Sequence, residues 1–256
     1  MKKVLVTGAN GQLGQCLQKT APLYKNLEFA FKNSKELDIT DVLSIKKTFD
    51  LVDFDYCINC AAYTDVEQAE KTPDIAFKVN AEGVKNLALA CKKRKVGLIH
   101  ISTDYVFDGE KNEPYTTDDI PNPINEYGRS KLMGEKYIQE SMVDYIIIRT
   151  SWLYSEFGKN FYTTILEKAK AGENLAVTDN QIGCPTNANN LALIIVEKLA
   201  QNNNFGIENF TDGYSCTWFD FAKKILLENN LTNKVQLEKV KNYRTFATRP
   251  KYSVLK

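Results

Sequence analysis

The sequence predicts an α/β fold, a doubly wound parallel sheet followed by a smaller C-terminal lobe. Two observations carry this. Short, nearly continuous apolar runs alternate with segments of helical periodicity through the first 150 residues. A glycine-rich stretch, "TGANGQLG", stands between the first such run and the first helical segment. A length of 256 residues suits one large α/β domain, or a domain plus a lobe.

In order, residues 3–6, 27–31, 56–59, 98–102 and 145–149 read as strands. Parallel strands covered on both faces should be apolar almost throughout, as these are. The clearest helix spans 73–95, where Ile75, Ala76, Val79, Ala81, Val84, Leu87, Ala88 and Cys91 form an apolar face and Pro73 sits near the start. After Arg149 the rhythm changes. Residues 151–160 are aromatic and loop-like, helices follow at about 160–171, 187–201 and 217–229, and a strand is expected at 175–178. "QNNNFG" at 201–206 is a turn-rich break. The expected organisation is a dinucleotide-binding domain over 1–150, its sheet completed by parts of 172–205. Residues 151–171 and 206–256 would form a substrate-binding lobe.

Composition excludes several functions. A net charge of +1 provides no global field for nucleic acid or an anionic membrane. The longest apolar runs, such as 191–196, are too short to span a bilayer. The basic, apolar start ends at Gly8, too early for a signal peptide. Cys57 and Cys60 form a CxxC, but on a strand residues three apart point to opposite faces, which favours a structural reading. With His100 the sole histidine, no metal site is expected. Reduced thiols and no targeting signal point to the cytoplasm.

Gly8, Gly11 and Gly14 follow the first strand as GxxGxxG. Glycine permits the tight turn and close backbone approach to a pyrophosphate, and the helix N-terminus then offers free N–H groups. This makes the sheet Rossmann-type and the loop, with Asn10 inside it, a candidate cofactor contact. A glycine-rich turn without ligand is the plainer alternative. Cofactor choice is usually set at the end of the second strand. No carboxylate occurs there before Glu36, whereas Lys32, Ser34 and Lys35 suit a 2′-phosphate. NADP(H) is therefore favoured, with NAD(H) also admitted. A solvated loop whose lysines touch nothing remains the competing reading.

The fourth strand ends in "STDY", Ser102 to Tyr105, over the expected ligand crevice. "YGRSK" follows, with Tyr127 and Lys131 on one helical face. Ketone reduction needs hydride at carbon and a proton at oxygen. A phenol of pKa about 10 becomes a workable acid if a neighbouring ammonium and an oxidised nicotinamide lower that value. Thr103 can hydrogen-bond the developing alkoxide, and Lys131 can also hold the nicotinamide ribose. A second Tyr–Lys spacing, Tyr252 to Lys256, lacks such surroundings and is taken as chance.

Together the glycine loop, Ser102-Thr103-Asp104-Tyr105 and Tyr127-x-x-x-Lys131 resemble the extended short-chain dehydrogenases/reductases. "TGANGQLG", "ELDITD", "INCAAYT", "VNAEG", "STDYVFDG", "RTSWLY" and "RPKYSVL" resemble more narrowly the dTDP-4-dehydrorhamnose reductase family, over nearly the whole chain. The resemblance implies reduction of the C4 ketone of dTDP-4-dehydro-L-rhamnose with NAD(P)H, giving dTDP-L-rhamnose for cell-surface polysaccharide. It implies that Tyr127 is the general acid, assisted by Lys131 and Thr103. Gly11, Gln12 and Leu13 would face the pyrophosphate, Asp38 and Ile39 the adenine, and Ala61, Ala62 and Tyr63 the cofactor after the third strand. Thr103, Asp104 and Trp152 would contact substrate, with Tyr105 and Val66 in the same pocket. A tryptophan packed in the core is the alternative reading of Trp152.

Two departures qualify the resemblance. Some members hold an intersubunit magnesium with glutamates, but Gln15 stands at one such position and "TNANNLA" has no carboxylate. A homodimer is admitted, though not in that magnesium-bridged form. Family chains also continue past "RPKYSVL" with another helix, so an incomplete C-terminal lobe is expected. Competing readings are another nucleotide-sugar epimerase or dehydratase, disfavoured by Lys32, and a non-catalytic dinucleotide-binding module. The latter would resemble the regulatory subunit of methionine adenosyltransferase, and the intact Thr103, Tyr127 and Lys131 weigh against it.

Overall fold

The structure, a computed structural model, describes residues 1–142, 144–201, 205–241 and 245–256. Five parallel strands, β1 (Lys2–Thr7), β2 (Leu27–Lys32), β3 (Tyr56–Asn59), β4 (Gly97–Thr103) and β5 (Tyr145–Thr150), lie where the apolar runs predict them. The sheet runs β2-β1-β3-β4-β5 and ends on the strand Gly206–Asn209. Chain order reverses between β1 and β3, which places the ligand crevice at their carboxyl ends.

Both faces are covered. On one, helices Gln12–Thr20 and Ala188–Gln201 pack together over Val4, Val6, Ile58 and Ile148. On the other, Val42–Leu51, Val84–Arg94 and Glu126–Ser141 enclose Leu5, Cys57, Leu98 and Ile147. Cys57 belongs to this second core, while Cys60 packs against the first. The CxxC thiols therefore face opposite sides of the sheet.

The sixth strand corrects one expectation. It is Gly206–Asn209, not part of 172–205; Leu175–Val177 pairs instead with Leu237–Lys239 in a separate two-stranded sheet. The sequence "GIEN" holds a single apolar side chain, so this half-buried edge carries no strand signal. Residues 202–204 of the expected break at 201–206 lie outside the described residues. Helices Phe161–Lys170 and Trp218–Glu228 build the smaller lobe around Ile165, Val177, Phe221 and Ile225.

The helix expected over 73–95 is also interrupted. Pro73–Phe77 leads into a π-helical turn, Lys78–Gly83, before Val84–Arg94 resumes. Asn80 accounts for the break. Its Oδ1 accepts from Tyr63 N at 2.8 Å, and its Nδ2 donates to Tyr63 O at 2.9 Å and to Ser130 Oγ at 3.0 Å. The widened turn aims Asn80 at the segment after β3 and ties that segment to the helix carrying Tyr127.

Candidate active site

The glycine loop leaves β1 at Gly8, whose φ is +67° and where a Cβ would stand 2.6 Å from Ala61 N. A Cβ at Gly14 would stand 2.5 Å from Gly8 O. Both positions therefore demand glycine. Helix Gln12–Thr20 then starts at Gly11 without a side-chain cap and with no acidic residue in its first turn. Its first N–H groups are left for an anion, so loop and helix fit the pyrophosphate of a dinucleotide.

The loop opens onto a cleft of about 550 Å3. Asn10, Gly11, Gln12 and Leu13 line one wall, with Ala62 from the segment after β3. Thr103, Asp104, Tyr127 and Lys131 line the floor, and Trp152 closes the far side. The structure thus brings together the three predicted catalytic residues, part of the phosphate loop and the predicted substrate tryptophan.

Helix Glu126–Ser141 positions Tyr127 and Lys131. Asn125 caps it, accepting from Gly128 N at 2.7 Å and donating to Thr248 O at 2.9 Å, so the C-terminal segment helps fix its start. Tyr127 is half-buried and packs edge-on against Tyr105 at 5.9 Å, with Thr103 beside it. Thr103 Oγ1 donates to Asp104 Oδ1 at 3.0 Å and accepts from Tyr105 N at 3.1 Å. Thr103 thus stands between the phenol and a buried carboxyl.

Burial dominates the electrostatics. It pushes the Tyr127 phenol well above its ordinary value, the negative charge of Asp104 adds to this, and the neighbouring Thr103 hydroxyl partly offsets it. Burial likewise raises Asp104 to about 7, opposed by hydrogen bonds with Ser253 and Thr103. Lys131 is pulled down to about 8 by burial, opposed mainly by the charge of Glu135. The expected depression of the phenol by the Lys131 ammonium is therefore absent among the protein groups. Lys131 Nζ turns away, donating to Ile101 O at 2.6 Å and lying 3.3 Å from His100 Nε2.

The remaining cofactor candidates lie outside the cleft lining. Lys32 ends β2 beside the glycine loop, where its carbonyl accepts from Ala9 N at 3.1 Å. Its ammonium is 3.8 Å from Glu36 with both side chains partly exposed, a contact worth little and readily exchanged. Ser34 and Asp38 are exposed, and Ile39 is packed in the core. Ala61 lies under Gly8, and Tyr63 is held by Asn80. Val66 opens helix Val66–Lys71. Tyr105 is buried beside Arg249, which pairs with Glu67 at 2.8 Å.

Trp152 lines the cleft and also stacks on Trp218, with ring centroids 3.5 Å apart and planes 8° from parallel. Its φ is +44°, left-handed backbone that costs a side chain energy, and the stack against Trp218 holds it there. Sequence reasoning missed Trp218, Asn160 and Lys159. Asn160 Nδ2 donates to Gln12 Oε1 at 2.8 Å, joining the lobe to the glycine loop, and exposed Lys159 adds a second ammonium to the lining. The aromatic stretch 151–160 was the available signal; Trp218, far along the chain, gave none. Tyr252 and Lys256 lie on extended chain bridged to Ile182 and Tyr115, so they share no helical face.

Residues 1–256 match the RmlD substrate binding domain. The chain belongs to that family. It is 37% identical to the dTDP-4-dehydrorhamnose reductase of Aggregatibacter actinomycetemcomitans, covering 100% of this chain and 90% of that protein. It is equally 37% identical to the spore coat polysaccharide biosynthesis protein SpsK of Bacillus subtilis, covering 100% of this chain and 89% of the relative. The Bacillus anthracis dTDP-4-dehydrorhamnose reductase, solved in complex with NADP, superposes with a TM-score of 0.94 at 39% identity, covering 100% and 91% of the two chains. The RmlD-family chain described here is thus an NAD(P)H-dependent oxidoreductase of the dTDP-sugar reductase type.

Proposed function

We propose that this chain reduces the C4 ketone of dTDP-4-dehydro-L-rhamnose, or a close dTDP-4-keto-6-deoxysugar, to the C4 alcohol, using NADPH in preference to NADH. The observation that carries the reading is the placing of Tyr127 beside the Thr103–Asp104 hydrogen bond, in one cleft with Lys131 and the phosphate loop. The dinucleotide, when bound, supplies the hydride to C4. Tyr127 delivers its proton to the ketone oxygen. Its raised pKa keeps it fully protonated at neutral pH, so the acid is always loaded. Thr103 hydrogen-bonds the same oxygen as charge develops. Lys131, with a pKa of about 8, is suited to exchange a proton in that pH range.

Trp152 offers a flat face to the sugar, and Asp104 contacts its hydroxyls. Lys32 and Ser34 receive the 2′-phosphate, and Asp38 and Ile39 flank the adenine. Gly8 and Gly14 shape the loop, and Ala61, Ala62 and Tyr63 follow the cofactor past β3, with Tyr105 and Val66 behind the substrate. The similarity to SpsK keeps a different dTDP-deoxysugar as the second reading of the substrate. The test is NADPH oxidation with dTDP-4-dehydrorhamnose, against matched UDP and GDP sugars and against NADH. Turnover confined to the dTDP-ketone supports the assignment. Tight copurified NAD with C4 epimerisation would move the chain to the epimerases.

A further inference from the structure

Beneath the cleft floor lies a row of buried polar groups that the mechanism above leaves unused. Sheet register sets Thr7 beside Asn59, and Asn59 beside His100, on one rung. Residues two positions earlier on these strands, Leu5, Cys57 and Leu98, belong to the core under helix Glu126–Ser141, so the rung faces that helix. Asn59, His100 and Lys131 are all almost fully buried.

Hydrogen bonding fixes the protons along this row. Ala61 N can only donate, and it lies 3.2 Å from Asn59 Oδ1, which also accepts from Thr7 Oγ1 at 2.6 Å. Asn59 therefore turns its Nδ2 donor toward His100 Nδ1 at 3.0 Å. A ring nitrogen that accepts carries no proton, so the imidazole proton must be on Nε2. That N–H faces Lys131 Nζ at 3.3 Å. An ammonium has no lone pair to receive it; a neutral amine does, and can still donate to Ile101 O.

We propose that Asn59 and His100 are positioning residues for Lys131: Asn59 locks His100 as the Nε2–H tautomer, whose N–H faces the lysine nitrogen and poises it to release its proton at neutral pH. The proposal concerns the proton supply of the proposed reductase and rests on that reading only for its kinetic arm. Other groups facing Lys131 do not supply a competing partner. Glu135, on its own helix, is engaged by Arg149 from β5 and by Ser102 from β4. Cys60, after β3, is pushed up to about 12 by burial and stays neutral. Tyr127 is held protonated by burial. Burial moves Lys131 down to about 8 and His100 well below its ordinary value, consistent with a neutral ring beside a readily ionised amine.

The sole histidine makes the test site-specific. Ring 15N spectra of the untagged chain should show Nε2 protonated and Nδ1 bare between about pH 6 and 9, with a step as Lys131 titrates. Lys131→Met should abolish the step and keep the tautomer. Asn59→Asp, isosteric but purely an acceptor, should move the proton to Nδ1 and present a lone pair to the ammonium. The step, and the limb of the kcat–pH profile that follows it, should then rise by about one pH unit. A wild-type ring protonated on Nδ1, or one that charges between about pH 6 and 7, overturns the proposal. So does an Asn59→Asp variant with unchanged tautomer and limb. Absence of turnover with an intact Nε2–H signal would remove the reductase reading and leave the poised lysine standing.

Discussion

Lys131 Nζ donates to the backbone carbonyl of Ile101 at 2.6 Å, which ties the helix bearing Tyr127 to the strand bearing Thr103. One bond thereby holds the acid and its hydroxyl partner in a fixed relation. It also keeps the lysine charge off the phenol, which relies on Thr103 alone to moderate the effect of burial.

Tyr127→Phe keeps the ring, its edge contact with Tyr105 and the helix, and deletes only the acid. Loss of a positioned acid costs about 10²–10⁴-fold in rate. The expected outcome is a kcat lower by that factor, with the KM for the sugar and the affinity for NADPH within a few-fold. Initial rates and dinucleotide titration check it. Unchanged kcat would assign the proton to another group.

Why this pair was legible, while other features were not, follows from where information resides. Strands β1 and β3 to β5 are largely buried on both faces and the edge strand β2 is still mostly apolar, so their runs announce them; Gly14 is forced by its own βα turn, and Gly8 by its positive φ as well as by the segment after β3. The glycine loop, "STDY" and "YGRSK" each sit at the end or start of such an element. Gly206–Asn209 is a half-buried edge with one apolar residue, and nothing local marks it. The π turn at Lys78–Gly83 exists because Asn80 bonds Tyr63 and Ser130, partners 17 and 50 residues away. Ser253 at Asp104 and Arg249 at Tyr105 are tertiary contacts from the far end of the chain. Local patterns predict elements; contacts of this span are invisible until the chain is folded.

Lys32→Ala should change cofactor choice rather than chemistry. Lys32 leaves β2 next to the glycine loop, and its weak contact with Glu36 holds little in place. An exposed lysine on a phosphate contributes roughly 1 kcal/mol. The kcat/KM ratio of NADPH to NADH should then fall about five-fold, with NADH values nearly constant. An unchanged ratio would show that the lysine is a solvated loop residue.

Asp104 predicts a stability signature. Its pKa rises from 3.8 unfolded to about 7 folded, mainly through burial. The folded state therefore holds a proton that the unfolded state releases, so stability is greatest below pH 3.8 for this group and is lost as pH climbs through about 7. The full shift corresponds to about 4 kcal/mol at most. Asp104→Asn keeps the size and removes the ionisation. Its urea midpoint should exceed that of wild type increasingly from pH 5 to about pH 8, where the difference levels off. A constant difference across that range would mean that Asp104 ionises normally.

The buried Arg149–Glu135 pair gives the sharpest structural test. Arg149 Nε and Nη2 donate to the two carboxylate oxygens at 3.0 and 2.7 Å, the Glu135 carboxylate also accepts from Ser102, and the guanidinium rests on the Phe107 ring. Both side chains are shut off from water. Removing one partner strands the other's charge in a medium that solvates it poorly, at a cost of about 3–5 kcal/mol. Arg149→Met should therefore destabilise the fold strongly, and Glu135→Leu likewise. The double variant strands no charge and should recover most of the loss, leaving a large coupling term in the cycle. Ser102 precedes Thr103 and Glu135 lies one turn beyond Lys131, so the double variant separates two roles. If the pair serves stability alone, the double variant regains kcat with its fold. If it also aligns the floor of the cleft, kcat stays depressed in a protein whose urea midpoint is nearly restored, and the second outcome is the one the shared bond to Ser102 predicts.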